Sequence, residues 1–249
     1  MEFKIKQGIY RHFKGNKYRV LGIAKHSETL EDTVVYKSLE NGEMWVRPAK
    51  MWNDEVSADG KKVKRFTYLC GGENPVIRKA TKDDIKQIAE IYDRILTEEE
   101  NGNATTGWIR GVYPTEATAL QALENDDLFV LEDEGRVVAA ARINQIQVPE
   151  YANADWQHKN VPDNQIMVLH TLVVDTQCAG KGYGTYFVAF YEDYAKQNGC
   201  DYLRMDTNKR NTAARSLYKK LGYSEADIVP CDFNGIDGIE LVCLEKYLG

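Results

Sequence analysis

The sequence predicts a mixed α/β protein: a central mixed, twisted sheet flanked by helices over residues 76–249, preceded by a small all-β, barrel-like domain over residues 1–70. Three observations point there. Beyond Val76, apolar runs of strand length alternate with segments of helical period. Before it, short runs rich in Val, Tyr, Trp and Ile are separated by turn residues. Between the two, CGGENP (Cys70–Pro75) holds two glycines and a proline among polar residues, so residues 71–75 read as a linker.

In the N-terminal part the strands are YRVLGIA, TVVYKSL and MWVRPAKMW, broken at Lys14–Asn16, Ser27–Asp32 and Asn41-Gly42. From Val76 the order is strand (VIRKA), helix from Thr81 to about Leu96, polar loop, helix from about Thr115 to Leu123, then a hairpin whose strands LFVLED and RVVAAARI flank Glu134-Gly135. Thr81 suits a helix start because its hydroxyl can cap free amides, and Asp83 and Asp84 suit the positive end of the helix. After a long loop come the buried strand MVLHTLVVD, a glycine loop, a helix from Tyr183 to about Gln197 and the strand DYLRMDT. A helix from about Thr212 to Leu221 stops at Gly222, and two last strands meet around Asn234-Gly235.

Composition narrows the class. A 249-residue chain that is 43% hydrophobic and 10% aromatic can bury a core. No run approaches the length of a membrane span, and the charged N-terminus lacks the apolar stretch of a signal peptide, so a cytoplasmic protein is expected, with no membrane partner. Five scattered cysteines without a CxxC pair read as reduced thiols, and four scattered histidines leave no metal-ligand spacing, so no metal is expected. Residues 1–70 hold 14 Lys and Arg against 9 Asp and Glu, whereas the whole chain has a net charge of −6. The acidic remainder would repel a polyanion, so nucleic acid is not the expected partner.

The run LVVDTQCAGKGYG carries the chemistry. An apolar strand end leads through a short loop to Gly180, Gly182 and Gly184, where an amphipathic helix begins. Helix starts leave amides unpaired and carry about half a positive charge, and glycine lets the backbone approach a ligand, so a pyrophosphate can be cradled there. A P-loop would need Lys followed by Ser or Thr, and Lys181 is followed by Gly182; a dinucleotide fold would need the wider GxGxxG spacing.

Gln177-Cys178-Ala179-Gly180-Lys181-Gly182 matches the QxxGxG form of the coenzyme A loop of the GCN5-related N-acetyltransferase (GNAT) superfamily, which residues 76–249 resemble throughout. The helix segment NTAARSLYKKLGY is similar to that family's signature, while Thr176 stands where the family usually has proline. The resemblance implies a GNAT fold and acetyl-CoA as co-substrate. It implies that Leu172, Val173 and Val174 pair with the pantetheine arm and that Gln177, Ala179, Gly180, Lys181, Gly182, Tyr183 and Gly184 hold the pyrophosphate. It also puts Asn211 on the pantetheine or on the helix start as a cap, and Tyr218 at the thiol as general acid. A phenol with a pKa of about 10 stays protonated and can donate to a thiolate. His170 is similar in position to the base of arylalkylamine acetyltransferases, and strand alternation puts it on one face with Leu172; a hydrogen-bonded core histidine is the other reading.

Acceptor selection in this fold comes from the loops before the fourth strand. TGWIRGVYP offers Trp108, Arg110 and Tyr113; YANADWQHKN offers Tyr151, Trp156 and His158. Of these, Trp108, Tyr113 and Trp156 are the expected pocket walls, the equal alternative being that these rings merely cover the sheet edge. The N-terminal segment resembles the DUF1653 family, a bacterial domain of unknown function, through Tyr10-Arg11-His12, His26–Thr29, Tyr36 and Trp45–Pro48. His12, His26, Glu28, Trp45 and Arg47 could line a ligand site or bond internally, and no catalytic role is assigned to them. The expected function is acetyl-CoA-dependent N-acetylation of a primary amine on a small molecule or peptide. The alternatives are a non-catalytic acyl-CoA sensor and a protein-modifying acetyltransferase tethered through the basic domain. For the N-terminal domain a small-molecule or peptide-binding module, presenting the acceptor, is the first expectation and an oligomerisation role the second; the expected partners of the protein are a small-molecule amine acceptor and a second copy in a homodimer.

Overall fold

The computed structural model describes residues 5–58 and 60–249. The chain divides into two units, one of residues 1–73 with Gly180–Tyr186, the other of Asn74–Ala179 with Phe187–Gly249.

In the first unit, β1 (Gly8–His12), β2 (Lys17–Lys25), β3 (Asp32–Ser38), β4 (Met44–Pro48) and β7 (Phe66–Cys70) form an antiparallel sheet in the order β4-β3-β2-β1-β7. Cross-strand partners place Tyr10, Val20, Val34, Tyr36 and Phe66 on one face, where they bury Ala49 and a fully enclosed Trp52. The Trp52 and Phe66 rings stack at 4.0 Å. The sheet is open, which corrects the barrel-like expectation. The charged segments β5 (Glu55–Ala58) and β6 (Lys61–Lys64) pair with each other and leave β4 and β7 as edges among the described residues.

The second unit is a seven-stranded sheet in the order β13-β14-β12-β11-β10-β9-β8. Its strands are β8 (Val76–Lys79), β9 (Leu128–Asp133), β10 (Arg136–Asn144), β11 (Ile166–Val174), β12 (Tyr202–Asn208), β13 (Ser224–Phe233) and β14 (Ile236–Tyr247). All neighbours are antiparallel except β11 and β12. Helix α1 (Ile85–Glu100) lays Ile85, Ile88, Ile91, Tyr92 and Ile95 over one face, with Ala119 and Ala122 of α2 (Glu116–Glu124) beside them. Helix α3 (Tyr183–Gln197) meets Phe129 through Phe190 and Tyr194, while the flanking Leu128 and Val130 point into the α1 cluster; strand alternation thus serves both faces.

Thr81 begins a capping box ahead of α1. Its amide and hydroxyl bond the carboxylate of buried Asp84, which also takes two bonds from Arg78. Thr115 caps α2, and Asn211 caps α4 (Thr212–Lys220) by accepting the Ala214 amide at 3.1 Å. No helix among the described residues is long and apolar enough to cross a membrane.

Candidate active site

The cleft in the second unit starts from a parting of strands. Register between β11 and β12 runs from Ile166–Tyr202 to Leu169–Met205 and stops. Beyond that point Val173 and Val174 keep β10 as partner on one side only, and Thr171 has φ +52. A β-branched residue is an outlier there, and such strain marks a functional feature. Two residues, Thr171 and Leu172, oppose Ala141 in the register, so a β-bulge breaks the alternation assumed for His170 and Leu172. His170, Thr171 and Leu172 consequently all line the same cleft of about 130 Å³.

Three more surfaces enclose it. Asp206, Thr207 and Asn208 come from the end of β12, Asn211, Ala214 and Tyr218 from α4, and Phe233 and Leu241 from the last hairpin. Thr106–Trp108 and Tyr113 supply the loop wall. That loop is fixed by Glu99, whose carboxylate accepts the Thr106 amide at 2.6 Å, the Thr106 hydroxyl at 2.9 Å and the Gly107 amide at 3.2 Å. Gly107 has φ +76, which favours glycine, and a Cβ there would stand 2.4 Å from Asn208 Nδ2 of β12. Trp108 and Tyr113 meet edge to face at 5.8 Å, and the Tyr113 hydroxyl is hydrogen-bonded to Thr171 Oγ1.

The ionisable groups differ sharply. Burial holds the Tyr218 phenol above its usual pKa, with the Asp206 charge adding to the effect, so it is a protonated donor at neutral pH. Its hydroxyl makes no hydrogen bond among the described residues and faces the cleft. Burial also raises the Asp206 carboxyl to about 6, against the lowering effect of the Tyr151 hydroxyl that donates to it at 2.8 Å. His170 is pushed down to about 4, by burial first and then by the Arg142 charge. Its Nε2 lies 2.9 Å from Asn144 Oδ1, and that amide in turn donates to Asp127. Asn144 Oδ1 also accepts the Ile146 amide, so it is an acceptor and His170 Nε2 carries the proton.

Among the expected acceptor residues, Trp108 and Tyr113 line the cleft and Trp156 does not. Trp156 is 6% exposed, donates its indole N–H to the Tyr151 carbonyl and lies under the Arg204 guanidinium at 4.1 Å. Arg110 is drawn onto α1 by Asp93 and Glu100. The residue that sequence reasoning passed over is Asp206. Its signal was a lone carboxylate inside the strand YLRMDTN, where Asp is depleted.

The entry to the glycine loop is anchored by Asp175, whose side chain is 0% exposed. It accepts Arg94 Nε at 2.9 Å, pairs with Arg136 and takes the Gln177 amide at 3.1 Å. Arg136 also donates to Gln177 Oε1 at 2.8 Å. In the first unit, Gly180 has φ +79 and open space at its Cβ position, while Gly182 has φ +87 and a Cβ there would stand 2.4 Å from the Leu69 carbonyl oxygen. The Gly71 amide bonds the Lys181 carbonyl at 2.7 Å, and α3 starts at Tyr183 directly after the loop.

Comparison with known proteins agrees with this architecture. A family model described as "Acetyltransferase (GNAT) family" matches residues 87–223, and one described as "Protein of unknown function (DUF1653)" matches residues 8–68. The chain is similar to the uncharacterized N-acetyltransferase MJ1207 of Methanocaldococcus jannaschii, 25% identical over 61% of this chain and 62% of that protein, so it spans less than two thirds of that relative. It is also similar to the uncharacterized N-acetyltransferase YhfO of Bacillus subtilis, at 26% identity over 60% of this chain and 89% of that one. A GNAT-family acetyltransferase from Streptococcus agalactiae superposes with a TM-score of 0.60 at 20% identity, covering 72% of this chain and 98% of that one. YncA of Salmonella typhimurium, solved with its cofactor acetyl-CoA, superposes with a TM-score of 0.51 at 20% identity, covering 70% of this chain and 94% of that one.

Proposed function

Because the chain belongs to the GNAT acetyltransferase family, we propose that it transfers acetyl from acetyl-CoA directly to the primary amine of a small molecule or peptide. The observation that carries this reading is the pairing, in one cleft, of a carboxylate whose pKa is raised to about 6 with a phenol held protonated. The glycine loop at the start of α3 suits the pyrophosphate, and the unpaired edge of β11 beyond Leu169 suits the amide-bearing pantetheine arm.

The roles follow from proton affinity. An amine arrives largely as ammonium and must lose a proton before its lone pair attacks the thioester carbonyl. Asp206 takes that proton. His170, pushed down to about 4, is the weaker base of the two, so it serves instead to shape the floor beside Thr171. Attack forms the C–N bond and a tetrahedral oxyanion. As the oxyanion collapses, the C–S bond breaks, the departing thiolate takes the Tyr218 proton, and the proton still on the acylated nitrogen returns to the Tyr218 phenolate. The amide and the free thiol leave, and one proton is released through Asp206. Trp108, Tyr113 and Phe233 give the acceptor an aromatic enclosure.

The test is thiol release from acetyl-CoA across a panel of amino acids, polyamines, aminoglycosides and arylalkylamines, with Asp206→Asn and Tyr218→Phe alongside. Turnover with one amine class that depends on both residues supports the reading. Acetyl-CoA binding with no turnover on any amine favours a sensor instead.

A further inference from the structure

The cleft of the second unit holds an arginine for which acetyl transfer has no use. Arg142 opposes Leu128 on β9 and His170 on β11, and opposed residues of adjacent strands share a face. Leu128 belongs to the cluster under α1, so Arg142 stands on that same face, where it reaches the cleft beside His170, Thr171 and Tyr113. Its side chain is 28% exposed. Asp206 lines the same cleft, and the two form no ion pair: Arg142 meets Asp127, and Asp206 takes its hydrogen bond from Tyr151. The cleft therefore carries an acidic and a basic group held apart from one another.

The guanidinium is only half engaged. Asp127 accepts its Nε at 3.4 Å and its Nη2 at 3.2 Å. Both are long for a charge-assisted bond, which runs to about 2.7–2.9 Å. They are also long beside Arg78, which meets Asp84 at 2.7 and 2.9 Å, and Arg215, which meets Glu225 at 2.7 and 2.8 Å. Asp127 has a closer donor in Asn144 Nδ2, at 2.5 Å. Nη1 of Arg142 bonds nothing among the described residues and is not one of the donors sealed from solvent. Asp127 holds the Nε–Nη2 edge and does not line the cleft, whereas Arg142 does, so the Nη1–Nη2 edge is the one left to the cleft. Two parallel N–H groups along one edge are what a carboxylate accepts bidentately.

We infer that the acceptor is a free amino acid, its carboxylate held on the open edge of Arg142 and its amine presented to Asp206 inside the aromatic wall of Trp108, Tyr113 and Phe233. This rests on the acetyl-transfer reading of the same cleft and narrows it. A polyamine or an aminoglycoside would bring only positive charge to the guanidinium, and an arylalkylamine would leave its open edge without an acceptor. The cleft, at about 130 Å³, is also smaller than the roughly 300–1,000 Å³ that encloses a drug-sized ligand, which suits one amino acid better than a peptide or an aminoglycoside.

The experiment measures binding and turnover separately on the full chain. The protein amino acids and their decarboxylated amines are titrated by calorimetry with coenzyme A present, and the same matched pairs are then compared by thiol release from acetyl-CoA. Expected is saturable binding of at least one amino acid, tighter than its decarboxylated amine by at least about tenfold, with the same order in kcat/KM. Arg142→Gln should shrink that ratio at least about tenfold and Arg142→Lys should recover part of it, whereas a merely structural role would weaken amino acid and amine alike and leave the ratio standing. The wild-type comparison does not depend on either variant folding. Amino acids and amines bound and used alike, acetylation of carboxylate-free amines only, or no binding of any amino acid each overturn the inference. Preferential binding of amino acids without thiol release upholds the carboxylate site and removes the transferase reading, so the two failures are told apart.

Discussion

Asp175 and Asp206 stand at the ends of neighbouring strands, β11 and β12, and their surroundings are opposite. Asp175 is fully buried between Arg94 and Arg136 and takes a backbone amide as well. Asp206 has a single neutral donor, Tyr151, and an environment that lifts its pKa to about 6. The first arrangement fixes the chain at the point where it enters the glycine loop. The second leaves a carboxylate with proton affinity near neutrality, facing a cleft. One residue type is thus a structural anchor or, in the proposed reaction, a base, according to whether the fold gives it cations.

The largest effect expected from breaking this contrast is on Asp206. Asp206→Asn should lower kcat/KM about 100-fold and remove a limb near pH 6 from its pH profile, checked by thiol release between pH 5 and 9. The same substitution should not harm the fold. A carboxyl whose folded pKa is raised stabilises the protein most below its unfolded value near 4, and that contribution is lost as pH rises through 6. Asp206→Asn should therefore be more stable than the parent at pH 8, by about 2 kcal/mol, with the difference vanishing toward pH 4; thermal unfolding at both pH values reads it.

Asp175→Asn should do the reverse. Leaving Arg94 and Arg136 short of a carboxylate should cost about 2 kcal/mol in chemical denaturation, less than a fully buried pair because both arginines are partly solvated. Its kinetic signature should be a raised KM for acetyl-CoA with kcat nearly unchanged. Tyr218→Phe should reduce kcat at least tenfold, about 1.4 kcal/mol of barrier, without shifting the limb near pH 6. The smallest change is expected from Trp108→Leu, a few-fold rise in acceptor KM with acetyl-CoA binding preserved.

What was legible in the sequence was local chemistry. Thr81, Thr115 and Asn211 announce helix starts through their own side chains, and Asn234-Gly235 takes the left-handed pair of angles that a two-residue turn requires. The glycine loop and the helix of Tyr218 were readable for the same reason. The rest depended on long-range register. Nothing in HTLV marks Thr171 as the bulge residue, because the bulge is set by pairing with β10, so the facing of His170 and Leu172 followed only from the folded sheet. Trp156 looked like a pocket residue because its loop is polar, but the loop folds back and buries it with Arg204. Asp206 was visible as a residue type, while its meaning needed Tyr151, 55 positions earlier, to come alongside. The open sheet of the first unit turned on β5 choosing β6, a competition between pairings that composition does not weigh.

Gly182 answers to two demands. A glycine in such a loop is ordinarily explained by the approach of a ligand, yet here the space its side chain would need is already taken by the carbonyl of Leu69 at the end of β7. Its φ of +87 excludes a side chain independently. An alanine at 182 should therefore be excluded from this chain even before any coenzyme arrives.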